Sequence, residues 1–441
     1  MARLPVTMLP LLWAALGSVG MGSAAIPAEC PRYTTTSYRR DSPPFSAGVH
    51  KLPSMRPSPE CRTFHSPEVE AAIDEMRKLV KDPDLFRLFE NTWPNTLDTT
   101  IAWKGVSAED PSEELAFITT GDINAMWLRD SANQLQSYMP VLRYDPSPDS
   151  LASVFRGAIN LQGRYIRTSP YCNAFQPPTE AVADGLEVEH NGWASRDVVS
   201  PSYNLQVVFE CKYELDSLAA FLQLSHDYYS STRDSEFFRR TRWVDTVDAI
   251  IGATSQLLEG TYSADGKVLR SAFSFSRTSD SASETVSNRG VGAPVKTGTG
   301  LVRSFFRPSD DSCTFQLFIP ANMMFSRYLE ACARIMGEID LDKAGKMKEF
   351  AASIRRGIEK YGRVKHPDYG VMYAYEVDGF GSQALMVRRA PTEQNLQYGL
   401  RGKRRESSSI VADRETRTTQ TSPVSSAHRC WATSRTTTRF I

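Results

Sequence analysis

An all-α toroid or solenoid is the fold class the sequence predicts, on three observations. Apolar residues recur every three or four positions through most of the chain, two-residue alternation is scarce, and the densest polar motifs fall between the periodic segments. No internal repeat separates a toroid from a solenoid. At 441 residues the chain can bury one large core or two ordinary ones, and length alone does not choose between them.

Arg3 ahead of the apolar run Met8–Gly22, closed by Ser23-Ala24-Ala25, has the form of a secretory signal peptide covering residues 1–25. The expected destination is the secretory pathway, secreted or extracellular. The run is short for a spanning helix and carries Pro10 and several glycines, so stable membrane insertion is not expected. An uncleaved membrane anchor is the alternative. Residues 26–64, rich in Pro, Ser, Arg and Thr, form an extension expected to wrap the surface. From Ser66 onward Val69, Ile73, Met76 and Val80 stand at helical spacing, and Leu85, Leu88 and Phe89 continue it past Pro83. The same spacing predicts helices over about 125–142, 150–167, 203–229, 235–258, 319–337 and 343–361. Strand-like alternation is confined to Ala116–Thr119 and Gly370–Tyr375.

The periodic domain, residues 65–386, ends abruptly. Residues 387–441 are rich in Arg, Ser and Thr, as in Arg401-Gly402-Lys403-Arg404-Arg405 and Thr436-Thr437-Thr438, and present no face to bury. Two readings of this stretch stand side by side: a natural disordered basic tail, or sequence translated from the wrong reading frame.

Acidic and basic residues number 51 each, which leaves no net field to attract nucleic acid or anionic lipid. Seven cysteines in a secretory context permit disulfides, and Cys30 with Cys61 would close the Pro-rich extension into a loop. Connectivity is not decidable at this level: Cys211 and Cys332 lie in helix-like apolar surroundings that suit a buried thiol as well as a bridge.

Four segments carry chemistry. In Arg307-Pro308-Ser309-Asp310-Asp311 two adjacent carboxylates share one guanidinium beside the apolar run that starts at Phe315. Pairing cannot satisfy all three, so one acid is expected to have a raised pKa and to serve as a general acid. The plainer reading makes Asp310 the cap of the next helix. In Gly121 to Ser131, Asp122 can cap a helix that carries Trp127, Arg129 and Asp130, a set that suits sugar hydroxyls and an apolar ring face. The plainer reading is a cap and a local ion pair. In Lys212-Tyr213-Glu214-Leu215-Asp216-Ser217-Leu218, residues two apart do not share a helix face, so if the segment is helical at most one of Glu214 and Asp216 points into a site and the other is solvated or capping. Tyr373-Ala374-Tyr375-Glu376-Val377-Asp378-Gly379 reads as an extended segment ending in a turn. Glu189, His190, Asn191 and Trp193 either line the same cleft or form a surface loop. The six histidines are scattered, so no metal site or other cofactor is expected. Acids in aromatic company, spread over four segments, make a carbohydrate-site composition.

These four motifs, with Phe306 ahead of Arg307 and Ile319-Pro320-Ala321-Asn322 behind, resemble glycoside hydrolase family 125, the exo-acting α-1,6-mannosidases. The likeness runs from about Cys61 to Met386, and Asn91-Thr92-Trp93-Pro94-Asn95-Thr96-Leu97-Asp98 is similar to the fungal branch. The resemblance implies an (α/α)6 barrel, release of non-reducing-end α-1,6-linked mannose from an oligosaccharide, mannan or N-glycan, inversion at the anomeric carbon, and no catalytic metal. It assigns the general acid to Asp310 and the holding or shaping of the sugar subsite to Asp122, Arg129, Asp130, Arg307 and Glu376. Trp127, as cover for an apolar ring face, and Asp311 complete the expected substrate-binding set, with Arg307 and Asp311 expected to tune the acid, Asp311 by like-charge proximity.

The chain departs from the family pattern after Met386. The Met-Asp-Asp segment and the later Met-His-Glu motif, which supplies the general base, do not follow, and part of the barrel wall is missing with them. An inverting glycosidase needs that second carboxylate, about 6.5–9.5 Å from the first, to activate water. A mannoside-binding protein without turnover is therefore the alternative to an active enzyme.

Overall fold

The computed structural model describes Cys30 and residues 42–386. The expected signal segment, most of residues 26–41 and the 387–441 tail lie outside the described residues, as does any test of their assignments.

Helix α1, Pro67–Leu79, starts where Ser66 accepts a bond from the Val69 N–H. Glu68 and Glu70 lie in its first turn and Arg77 and Lys78 in its last, complementing the helix dipole. Helix α2, Pro83–Thr92, is capped by Asp82. Strands β1, Ile101–Val106, and β2, Glu114–Ile118, form an antiparallel hairpin. Residues Leu115–Ile118 are buried on both faces because a later helix lies across them. β3, Met126–Trp127, runs directly into α3, Leu128–Gln136. Helix α4, Leu151–Thr168, packs on β2 so closely at Gly157 that a Cβ there would lie 2.7 Å from the Leu115 carbonyl carbon.

Four short strands follow in chain order: β4, Ala174–Phe175; β5, Val198–Ser200; β6, Val208–Glu210; and β7, Ser274–Ser276. Between β6 and β7 lie α5, Leu215–Thr232, α6, Ser235–Arg240, and α7, Trp243–Gln256. β8, Leu317–Phe318, leads into α8, Ile319–Gly337, and then α9, Leu341–Gly357. The described chain closes with β9, Arg363–His366, β10, Gly370–Tyr373, β11, Glu376–Val377, and β12, Gln383–Ala384.

Helix α5 is the centre of the core. It packs against α3, α4 and α8, while α4 also carries α7 and α8 carries α9. Contact from several sides explains why its apolar residues, Leu215 through Leu224, are buried around most of its circumference.

The helix-dominated expectation holds, but the all-α part of it does not, because short strands occur throughout. They sit in a functional place. β3, β4 and β6 form one three-stranded sheet and β8, β11 and β12 another. Both lie where core helices begin, so the polar motifs next to them collect near the N-terminal ends of α3, α5 and α8.

Helix limits shift for local reasons. The 203–229 helix begins only at Leu215, since Val208–Glu210 pairs with β4. The 235–258 helix breaks at Thr241 and Arg242. Asp122 does not cap α3, whose first residue is Leu128. Asp310 caps no helix either: its φ is +65° and the next helix starts at Ile319. Cys30 pairs with Cys61, Cys211 with Cys172, and Cys332 is a buried free thiol. No helix among the described residues is long and apolar enough to cross a membrane.

Candidate active site

Arg129, in the first turn of α3, points into a cluster of three carboxylates. Its Nη1 donates to Glu214 Oε2 at 2.6 Å and Asp216 Oδ2 at 3.0 Å, and its Nη2 lies 3.4 Å from Asp130 Oδ2. Both acids of the 212–218 segment thus reach one partner, contrary to the expectation that at most one would. Glu214 precedes α5 with extended backbone, φ −125° and ψ 116°, so the helical spacing rule does not govern it. Burial pushes the Glu214 carboxyl up to about 8 against the pull of Arg129, with the like charges of Asp216 and Asp310 adding to the rise. Burial also raises Asp216. One guanidinium leaves this cluster rich in negative charge, and Glu214 Oε1 and Asp216 Oδ1 have no hydrogen-bond partner among protein groups.

The Arg307-Pro308-Ser309-Asp310 segment is a turn closed by the Asp310 N–H to the Arg307 carbonyl at 3.0 Å and by the Arg307 N–H to the Asp311 carbonyl at 2.8 Å. The Arg307 guanidinium turns away from both aspartates. Its Nε meets Glu376 Oε1 at 2.6 Å, and Glu376 Oε2 accepts the Thr314 and Phe315 N–H groups at 3.0 Å each. Glu376 is fully buried with both oxygens occupied, so it shapes the site through Arg307 instead of offering a free carboxylate. Asp311 takes the Ser309 hydroxyl at 3.2 Å.

Asp310 is half exposed, and its charged neighbour is Lys212, whose Nζ donates to Oδ1 at 3.3 Å. The guanidinium expected beside Asp310 is therefore spent on Glu376, and the Lys212 ammonium stands in its place. Sequence reasoning missed this residue, although a signal was present. Glu210 ends β6 and Lys212 follows two residues later, the spacing that puts side chains on one face of an extended chain, and their charged groups lie 3.2 Å apart.

The two clusters share a frame. The Phe305 and Phe306 N–H groups donate to the Tyr213 carbonyl, and Ser304 Oγ accepts the Leu215 N–H at 3.0 Å. Asn173 joins the start of α3 to Lys212: its carbonyl accepts the Leu128 N–H and its Oδ1 the Lys212 N–H, each at 3.0 Å. Trp127 is buried edge-on against Phe209 with ring centres 5.5 Å apart. Asp122 is exposed on the loop before β3 with Thr120 as its bonded neighbour. That loop is pinned by Glu189, whose carboxylate accepts the Asn124 N–H at 2.8 Å. Asn191 holds the Phe209 carbonyl at 3.1 Å, and Trp193 projects into solvent. Among the described residues no group of three or more His, Cys, Asp or Glu is arranged to hold a metal ion.

A half-exposed carboxylate on a fixed turn stands beside buried acids and aromatic rings at the starts of core helices, groups of the kind that bind sugar hydroxyls and ring faces. The family model of metal-independent α-mannosidases, glycoside hydrolase family 125, matches residues 82–388. The chain belongs to that family and is a glycoside hydrolase of the α-mannosidase class. It is similar to the Meiotically up-regulated gene 157 protein of Schizosaccharomyces pombe, 43% identical over 361 residues that span 81% of this chain and 68% of the relative. Among solved structures it is similar to a Streptococcus pneumoniae metal-independent α-mannosidase in a non-productive complex with α-1,6-mannobiose. That likeness has a TM-score of 0.60 at 27% identity and covers 73% of this chain and 69% of the other.

Proposed function

We propose that this α-mannosidase acts on non-reducing-end α-1,6-linked mannose with inversion, in an (α/α)6 barrel, with Asp310 as the general acid. The carrying observation is the placement of Asp310. It is half exposed on a turn that Arg307 and Glu376 tie to the core, with Oδ1 fixed by Lys212. Its free oxygen is thus available to a bound glycoside. The complex of the S. pneumoniae relative with α-1,6-mannobiose supports the linkage. Arg129, Asp130 and Asp122 hold or shape the sugar subsite beside Trp127. Secretion, on the strength of the N-terminal segment, belongs to the same reading.

In this mechanism Asp310 gives its proton to the glycosidic oxygen as the C1–O bond breaks, and the bond's electron pair leaves with the departing sugar. Water attacking from the opposite face must lose a proton to a second carboxylate. The 441 residues contain no Met-His-Glu sequence to supply it. Azide needs no base, so it separates the acid step from the base step. With azide, the chain is expected to convert α-1,6-mannobiose to β-mannosyl azide and mannose, and Asp310→Asn to abolish the conversion. An α-configured azide, binding without conversion, or full activity of Asp310→Asn would overturn the proposal.

A further inference from the structure

We infer that Lys212 is a positioning residue for the acid step, holding Asp310 Oδ1 as an acceptor so that the transferable proton resides on Oδ2. The inference rests on the reading of Asp310 as general acid and extends it to a residue outside the expected site.

Lys212 is the fourth member of a run of alternating charges. Asp197, with its side chain fully buried, receives Arg277 Nε and Nη2 at 2.7 Å each. Arg277 Nη2 lies 3.3 Å from Glu210 Oε1, which lies 3.2 Å from Lys212 Nζ, which lies 3.3 Å from Asp310 Oδ1. Arg277, Glu210 and Lys212 have side chains no more than 10% exposed. Lys212 also lies 5.6 Å over the Phe306 ring, on the segment that leads into the Asp310 turn. Its ammonium is therefore held by two elements and by the disulfide-anchored neighbour Cys211.

Two consequences follow from charge and from valence. The other four groups of the run balance as two anions and two cations, so the Lys212 charge is already compensated by Glu210. An ammonium only donates, so the oxygen it meets must accept, and the carboxyl proton is left on the other oxygen. When Asp310 gives that proton to the departing sugar oxygen, the new carboxylate is formed against an ammonium already in place, at no cost in reorganisation. Burial opposes the Lys212 charge, but Glu210 and Asp310 outweigh it and raise its pKa, so it remains an ammonium through the working range.

A purely structural Lys212 and a positioning Lys212 are separated by the leaving group. Mannobiose needs protonation of its departing oxygen, whereas α-mannosyl fluoride leaves largely without it. We would measure azide-supported turnover of both substrates by the full chain and by Lys212→Met, Lys212→Gln and Asp310→Asn. Lys212→Met is expected to lower the mannobiose-to-fluoride ratio of kcat by about tenfold or more with KM for mannobiose little changed, since misplacement of a catalytic group costs factors of that order. Lys212→Gln keeps an N–H donor of similar reach and should retain more of the ratio than Lys212→Met. An unchanged ratio in both Lys212 variants, with a collapsed ratio in Asp310→Asn, would overturn the role of Lys212 and leave the acid intact. An unchanged ratio in Asp310→Asn would instead overturn the acid assignment itself.

Discussion

Arg307 Nε and the fully buried Glu376 Oε1 lie 2.6 Å apart, and this contact joins the turn that carries Asp310 to β11. The second Glu376 oxygen takes two backbone N–H groups, so the residue is a three-way junction. Glu376→Ala would leave the guanidinium and both N–H groups without that partner. Urea unfolding should show a loss of about 3–5 kcal/mol, the usual cost of removing one member of a buried pair. A loss below about 1 kcal/mol would mean that the junction does not support the turn.

Glu214 makes stability depend on pH in an unusual direction. Its carboxyl is pushed from 4.5 to about 8 by burial, so between those values the folded chain binds a proton that the unfolded chain has released. Stability from this group is therefore fully present below about pH 4.5 and is lost as pH rises through about 8. Between pH 5 and 8 the unfolding free energy should fall by an amount on the order of a few kcal/mol. Glu214→Gln, which cannot ionise, should flatten that slope. A slope identical in the variant would falsify the assignment.

Cys172–Cys211 closes a loop across a sequence separation of 39 and fixes the residue preceding Lys212. Replacing both cysteines by alanine should cost about 2–4 kcal/mol, chiefly by freeing the unfolded chain. Equal midpoints for the oxidised protein and the double variant, measured in guanidinium, would argue against it.

Asp122 offers a way to separate binding from folding. It is exposed, and its hydrogen-bond neighbour is Thr120, two residues away on its own loop. Asp122→Ala should leave the melting temperature unchanged, since no buried group loses a partner. If Asp122 holds a sugar hydroxyl, calorimetric affinity for α-1,6-mannobiose should weaken by about tenfold, the value of one hydrogen bond to a charged group. Unaltered affinity would remove it from the subsite.

Much of the helical frame was legible because its helices are long and periodic. The 319–337 pattern matches α8, and 150–167 falls within one residue of α4 at both ends. The extended segment before a turn that carries Glu376 is legible because aromatic and acidic residues alternate there ahead of two glycines. The strands at the helix starts were not legible. β3, β4 and β8 contain two residues each, too few to show a period, and their identity depends on pairing with distant segments.

The sequence by itself determined the family, through four motifs in order, and with it the α-mannosidase class and the acidic residues from which the site is built. It also determined most of the helices, because helical periodicity is local. The tertiary structure alone decided which charges meet. Arg307 is beside Asp310 in the chain but spends its guanidinium on Glu376, and Lys212, 98 residues from Asp310, takes its place. Glu214 and Asp216 converge on Arg129 because α5 starts only at Leu215, which leaves Glu214 on extended backbone ahead of it. Electrostatic partners follow distance in space, and for these groups that distance is set by strand pairing and core packing among remote parts of the chain.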